Sequence, residues 1–251
     1  MFKKPLLKRR GFFSKKKVMK EIKYELIKIT KAVGANAIYN EFLKETDPNY
    51  SYITGILFVK YSGDGTNIRL GISNTAGSII NMVPVDLLDI DSTVKGFEEY
   101  FIPMQLDARG ETIKALLQAT TITTEFIGDV VLRLENKPRN NFNFNLQHKR
   151  IEFAKGLTTY ETADIIIDSN YKAIRGIWVN GPDSARVGVK ANGDYQVNLL
   201  PTKILETTNK VDYMLRFYPC NFKAKSISVV TELIAASSQE TIFDIVFLLE
   251  K

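Results

Sequence analysis

The chain has one cysteine, Cys220, and one histidine, His148, in 251 residues. That inventory excludes a disulfide framework and a Cys/His zinc site within one chain. It also excludes a histidine-rich metal cluster of the cupin type, and it leaves a Ser/His/Asp or Cys/His mechanism with a single available base. His148 therefore reads as a surface or core histidine, and Cys220 as a small buried apolar residue. Tryptophan is equally scarce: Trp178 stands alone and reads as core rather than as a platform for a ligand. Long apolar runs are missing too. In residues 1–20, charges separate Leu6-Leu7 from Phe12-Phe13, so there is no continuous apolar core of a secretory signal. Nowhere does a stretch approach the ~20 apolar residues that cross a bilayer. These absences predict synthesis in a reducing cytoplasm without insertion into a membrane.

Carboxylate-only catalysis is the enzyme chemistry that composition leaves open, because paired acids on strands can hydrolyse a glycoside. Glu25, Glu98 and Glu99 are available, but acids at this density read as a solvated face. Gly63-Asp64-Gly65 resembles a piece of a phosphate-binding loop, yet no helix with Lys-Ser/Thr follows, so it reads as a hairpin turn. No catalytic residue, cofactor or metal site is predicted.

What the chain does contain is a phrase said twice. Tyr50-Ser51-Tyr52-Ile53-Thr54-Gly55-Ile56 returns as Tyr171-Lys172-Ala173-Ile174-Arg175-Gly176-Ile177. Further on, Ile68-Arg69-Leu70-Gly71-Ile72 matches Ala185-Arg186-Val187-Gly188-Val189, and Val83-Pro84-Val85 matches Leu200-Pro201-Thr202. The ends also correspond, Ile127 to Glu135 with Ile242 to Glu250. Asp129 and Asp244, just before the last predicted strand of each unit, are expected to hold turns, while Pro84/Pro201 and Pro103/Pro219 are expected to shape strand ends or edges. One ancestral unit was duplicated.

Strand periodicity begins at about residue 22, where apolar and polar side chains alternate and β-branched residues are frequent. Eight strands are predicted in the first half, near 22–31, 38–44, 52–60, 67–73, 78–85, 99–106, 111–118 and 126–135. Eight more follow, near 148–155, 163–168, 173–179, 185–190, 195–200, 212–219, 223–231 and 241–250. Residues 86–97 allow a helical turn, and Ala115-Leu116-Leu117 suits helix or strand. Asn192-Gly193 is a two-residue hairpin signal. The polar, proline-containing stretch from Asn136 to Asn141 closes the first unit. The predicted organisation is an N-terminal arm over 1–20, a first β-unit over 21–138 and a second over 139–251. Eight short strands per unit, with few helices, describe a β-sandwich or closed barrel. With two Greek keys this is the jelly roll, and an immunoglobulin-like sandwich is the alternative.

Charge is unevenly distributed. Residues 1–23 hold ten of the 34 Lys and Arg and one of the 28 acids, Glu21, so the net +6 of the chain divides into +9 here and −3 in the remainder. Basic pairs and triples interleave with apolar pairs along the arm. Both ingredients suit an anionic surface, because the cations are drawn to phosphate while Phe2, Leu6, Leu7, Phe12 and Phe13 can enter an acyl boundary or pack on a neighbouring subunit.

Two successive eight-stranded β-units behind a basic amphipathic arm, without enzyme chemistry, resemble the double-jelly-roll major capsid proteins. The likeness is to the small versions in tailless icosahedral phages with an internal membrane, such as corticoviruses and flavobacterial lipid-containing phages. It covers residues from about 21 to 251 and rests on architecture and repeat order. The resemblance implies a fold of two tandem jelly rolls, homotrimeric capsomers in an icosahedral virion, contacts with other virion proteins, and an N-terminal segment facing an internal membrane or the genome. Lys3, Lys4, Lys8, Arg9, Arg10, Lys15, Lys16 and Lys17 become candidates for phosphate contact, with Phe12 and Phe13 as apolar anchors. The chain departs from the family in its compactness, which leaves little room for exposed towers between strands. A tandem β-sandwich binding module, such as a carbohydrate-binding spike or surface protein, is the alternative function.

Overall fold

The computed structural model describes residues 22–35, 37–63, 68–89, 100–119, 122–139, 144–206 and 216–250. In the first half these form β1 (Ile22–Lys31), β2 (Tyr39–Glu45), β3 (Tyr52–Ser62), β4 (Ile68–Asn74), β5 (Gly77–Pro84), α1 (Val85–Leu88), β6 (Ile102–Asp107), β7 (Thr112–Ala119) and β8 (Phe126–Glu135). The second half gives β9 (Phe144–Phe153), β10 (Thr159–Glu161), β11 (Ile165–Ile166), β12 (Ala173–Asn180), β13 (Ala185–Ala191), β14 (Asp194–Pro201), α2 (Thr202–Leu205), β15 (Tyr218–Phe222), β16 (Ser226–Leu233) and β17 (Thr241–Glu250).

Period-two patterning decides the layers. In β1, Glu25, Ile27, Ile29 and Lys31 are buried while Tyr24, Leu26, Lys28 and Thr30 face out. The antiparallel sheet β1-β8-β3-β6 faces the sheet β2-β7-β4-β5, and between them Ile27, Ile29, Phe58, Val130 and Leu132 meet Leu70, Ile72, Ile113 and Leu117. The chain crosses repeatedly from one sheet to the other, which is the jelly-roll order and excludes the immunoglobulin-like alternative. In the second half, β9-β17-β12-β15 faces β16-β13-β14, with β10 and β11 both pairing on the outer side of β16. Phe153, Phe243, Ile245 and Phe247 fill this second core against Val187, Val189, Ile227 and Val229.

The duplication extends to the hydrogen-bond register. Ile22 faces Glu135 as Phe144 faces Glu250, and Tyr52 faces Glu135 as Ala173 faces Glu250. One residue later both β3 and β12 carry a bulge, after which Gly55 stands opposite Pro103 and Gly176 opposite Pro219. This explains the glycine of the repeated phrase. A Cβ at Gly55 would lie 3.0 Å from the Cβ of Phe101, and one at Gly176 only 2.6 Å from the Cβ of Phe217. Both neighbours are atoms fixed to the backbone, so they cannot swing aside. Gly176→Ala is expected to lower stability by about 1–3 kcal/mol, read as a shift of the urea midpoint at unchanged slope.

The tyrosine of the phrase also has a structural cause. Tyr50 and Tyr171 donate their amides to the carbonyls of Asp47 and Asp168, both at 3.1 Å. The carboxylates of the same aspartates accept the amides of Asn49 and Asn170, both at 2.9 Å. The repeated unit is therefore D-x-N-Y plus the strand, two matched Asx turns that set the start of β3 and β12. Pro84 and Pro201 close β5 and β14 with nearly the same dihedrals, φ −54° and ψ 135° against φ −52° and ψ 137°, and each leads into a four-residue helix.

Several boundaries differ from expectation for identifiable reasons. The strand expected at 163–168 shrinks to β11, and the short β10 precedes it without having been expected; between them the Thr162 hydroxyl, in place of a main-chain carbonyl, accepts the Val229 amide. The first strand of the second half starts at Phe144 rather than near 148, since it pairs along the whole of β17. Tyr218–Phe222 forms the strand expected at 212–219, whose earlier residues lie outside the described ones. Ala115, Leu116 and Leu117 belong to a strand, and the helical turn expected within 86–97 is the short α1, with 90–99 outside the described residues. At Asn192-Gly193 both φ angles are positive, 54° and 87°, as a type I′ hairpin requires. Asp129 and Asp244 hold no turns: they lie within β8 and β17.

Candidate assembly surfaces

The two halves of the chain meet through one sheet face, and β17 shows how. Phe243, Ile245, Phe247 and Leu249 point into the second core, whereas Val246 and Leu248, on the opposite side of the same strand, join the buried cluster of the first half. Leu146 of β9, Trp178 of β12 and Phe217 join that cluster as well. The outer face of β9-β17-β12-β15 is thus interior. Burying each of these side chains contributes about 1.5–3 kcal/mol relative to exposure.

Polar groups fix the register of this contact. Asn81 of β5 donates its side-chain amide to the Leu146 carbonyl at 2.7 Å, and Arg216 donates to the Leu87 carbonyl at 2.5 Å. Asp244 lies at the centre of a charged cluster. Its carboxylate is 2.7 Å from His148 Nε2, accepts Arg150 Nε at 3.0 Å and Nη2 at 2.8 Å, and stands 3.6 Å from Arg69 Nη2 of β4. Burial alone would raise the Asp244 pKa, but the hydrogen bonds and charges of His148 and Arg150 outweigh it and hold the carboxyl at about 2. Arg69 is pulled below its ordinary value by burial, with Asp244 opposing.

A carboxyl whose pKa falls on folding adds stability above its unfolded pKa, and that stability is lost as pH drops towards the folded value. From the ordinary 3.8 to about 2, the loss is on the order of 2 kcal/mol. Urea midpoints should therefore fall between about pH 4 and pH 2, and Asp244→Asn should flatten that part of the profile.

The corresponding face of the first half, the outside of β1-β8-β3-β6, is covered in part by Tyr100 and Phe101, beneath which Leu57 is buried. Its rows follow from the register: Tyr24 beside Arg133, Leu26 beside Val131 and Leu57, Lys28 beside Asp129 and Val59. Tyr100, Phe101 and Leu57 form a small buried cluster at its far side, with the Arg133 guanidinium 4.7 Å from the centre of the Phe101 ring. Tyr24 and Leu26 remain 39% and 48% exposed.

The other residues singled out from sequence are placed as follows. Trp178 is core, at the contact between the halves. His148 is half-buried, and its Nε2 lies 2.7 Å from the Asp244 carboxylate. Cys220 is half-buried, and burial pushes its thiol up to about 12, away from thiolate chemistry. Glu25 is buried 2.6 Å from Lys23 rather than forming part of a solvated face. Glu98 and Glu99 lie outside the described residues, as do Lys3, Lys4, Lys8, Arg9, Arg10, Phe12, Phe13, Lys15, Lys16 and Lys17. Among the described residues no group of three or more His, Cys, Asp or Glu could hold a metal ion, and no helix is long and apolar enough to cross a membrane.

Two jelly rolls of one topology in one chain define a double-jelly-roll protein, so the resemblance read from the repeat is met by the fold. Among solved structures, the major capsid protein P2 of bacteriophage PM2 matches with a TM-score of 0.50 at 10% identity, over 91% of this chain and 98% of that one. PBCV-1 VP54, fitted into a reconstruction of the virophage Sputnik, matches at 0.48 and 9% identity over 98% and 95%. N-glycanase F matches at 0.39 and 10% identity over 91% and 96%. At these identities the likeness is one of fold. No family model and no curated protein sequence matches the chain.

Proposed function

We propose that the chain is a structural virion protein, the major capsid protein of an icosahedral shell. It assembles as a pseudo-hexagonal homotrimeric capsomer, with residues 1–20 facing inward toward an anionic internal membrane or the genome. The observation that carries this reading is the duplication itself: two sandwiches with the same strand order, register and bulge in one chain, in a fold shared with a phage major capsid protein. A trimer of such a chain presents six similar corners and so tiles a hexagonal lattice. The two copies have diverged enough to make different contacts around it. The function is scaffolding rather than catalysis, and the protein is made in the host cytoplasm before incorporation into the virion with other virion proteins.

A tandem carbohydrate-binding module would need exposed aromatic platforms; the single tryptophan is 3% exposed, so such a module would have to use exposed tyrosines such as Tyr39 and Tyr61. Light scattering on a size-exclusion column is expected to give three copies of the 28.4 kDa chain, about 85 kDa, with hexagonal or icosahedral assemblies on imaging. A monomer at every concentration and salt tested would overturn the reading, and glycan binding by that monomer would favour the module.

A further inference from the structure

Where the two facing sheets of a half end, their edge strands leave a cleft, and the duplication repeats it. In the first half the cleft lies between β5 and β6 and has a volume of about 230 Å³. In the second it lies between β14 and β15, with about 250 Å³. Counted from the matched prolines Pro103 and Pro219, Gln105 of the first cleft stands where Asn221 stands in the second. The two differ in their cover. The second cleft is lined from its own half only, whereas Phe144, Asn145 and Tyr171 of the second half help to line the first.

The wall of the first cleft holds no charged side chain, so a ligand with net charge would lose its hydration there with nothing to replace it. Most of the polar groups are already engaged. Asn74 accepts the Ala76 amide at 3.1 Å, Ser78 donates to Asn81 at 2.8 Å, and Asn145 accepts the Leu146 amide at 2.8 Å while donating to the Tyr171 hydroxyl oxygen at 2.7 Å. Two groups remain. Gln105 Oε1 is buried without a hydrogen-bond partner among the described residues, and the Tyr171 hydroxyl, whose oxygen takes the Asn145 bond, still has its proton to give. A buried acceptor left unpaired costs stability, and a donor from outside the chain would recover it. Met104, Leu106 and Phe144 supply apolar wall beside these groups.

We propose that this cleft is a binding site for one ring of a neutral sugar. Neighbouring hydroxyls, each both donor and acceptor, satisfy Gln105 and Tyr171 together, and they suit Gln105 whichever way its amide is turned. The C–H faces of the ring pack on the apolar wall. The volume is below the ~300 Å³ at which sites for drug-sized ligands begin, so one ring fills it and the rest of any longer glycan lies outside. The second cleft has the amide without the cover, since Asn221 is exposed, and it is expected not to hold the sugar. The site goes beyond the capsomer reading and does not depend on it.

The test is a ligand-observed NMR titration of the full chain with glucose, galactose and N-acetylglucosamine, and with glucuronate as the charged control. At least one neutral sugar is expected to bind in the millimolar range, and glucuronate at least about tenfold more weakly. Gln105→Leu and Tyr171→Phe should each weaken binding about tenfold, one hydrogen bond apiece, while Asn221→Leu in the second cleft leaves it unchanged. Gln105→Leu also removes a buried acceptor that nothing pairs, so its urea midpoint should hold or rise. A fall would show that the amide serves the fold and would overturn the assignment. Binding indifferent to both Gln105→Leu and Tyr171→Phe, a preference for glucuronate, or no neutral sugar bound into the high millimolar range would overturn it as well. Light scattering on the same samples reads the capsomer separately: a monomer that binds sugar through Gln105 upholds the site and sinks the trimer.

Discussion

Replacing Asp244 with alanine will destabilise the protein by about 3–5 kcal/mol, the range expected when one member of a buried charge network is removed. Asp244 is 4% exposed. Its loss strands Arg150 and Arg69 and leaves His148 without its acceptor, all in a site where water cannot substitute freely. The cost is one of uncompensated charge rather than of a lost contact, so Asp244→Asn, which keeps an acceptor, should cost less than alanine. The duplication supplies an internal control. Asp129 holds the same position in β8, but it is half-exposed and, among the described residues, accepts the Tyr61 hydroxyl at 3.0 Å. Alanine there should cost less than about 1 kcal/mol in the isolated monomer. Urea unfolding of the two variants side by side decides the matter, and equal losses would sink the argument that the Asp244 network anchors one half of the chain on the other.

Much of this was legible in the residues. The repeated phrase located the bulge glycines, because a Cβ cannot fit where Phe101 and Phe217 approach, and alternation along Tyr24 to Lys31 marked β1 as a strand. The joint between the halves was not read, although β17 carries a signal for it. Ile245-Val246-Phe247-Leu248-Leu249 is apolar on both faces, whereas β8 alternates through most of its length. A continuous run marks a strand covered on both sides. The Asn-rich stretch before His148 hid the start of β9, since Phe144 to Gln147 resembles linker until it is paired with the end of β17. Asp244 was recognised as repeated, but its partner Arg69 lies 175 residues earlier, and a pairing across that distance has no local pattern. Sequence periodicity reports which side of a strand is buried; it does not report what buries it.

Removing residues 1–20 will abolish salt-sensitive binding to anionic liposomes and to DNA. Nine of the 34 basic residues and none of the 28 acids lie in that segment, so its deletion changes the net charge from +6 to −3 and leaves a body that repels phosphate. With all nine cations engaged on a duplex, affinity falls with about the eighth power of salt, a loss on the order of 10³–10⁵ between ~50 and ~200 mM. On an anionic bilayer each Lys or Arg near the surface contributes about 1 kcal/mol, equally screened by salt. The apolar pairs separate the two partners. If the arm meets lipid, Phe12→Ser with Phe13→Ser should weaken liposome binding at least about tenfold and leave DNA binding unchanged, because side chains that enter the acyl boundary have no counterpart on a duplex. If it meets the genome, the serine variant should bind DNA as the wild type does, and no salt-resistant fraction should remain on liposomes. Binding that persists in the truncated chain with the same salt slope would move the contact from the arm to the body of the protein, where the charge balance opposes it.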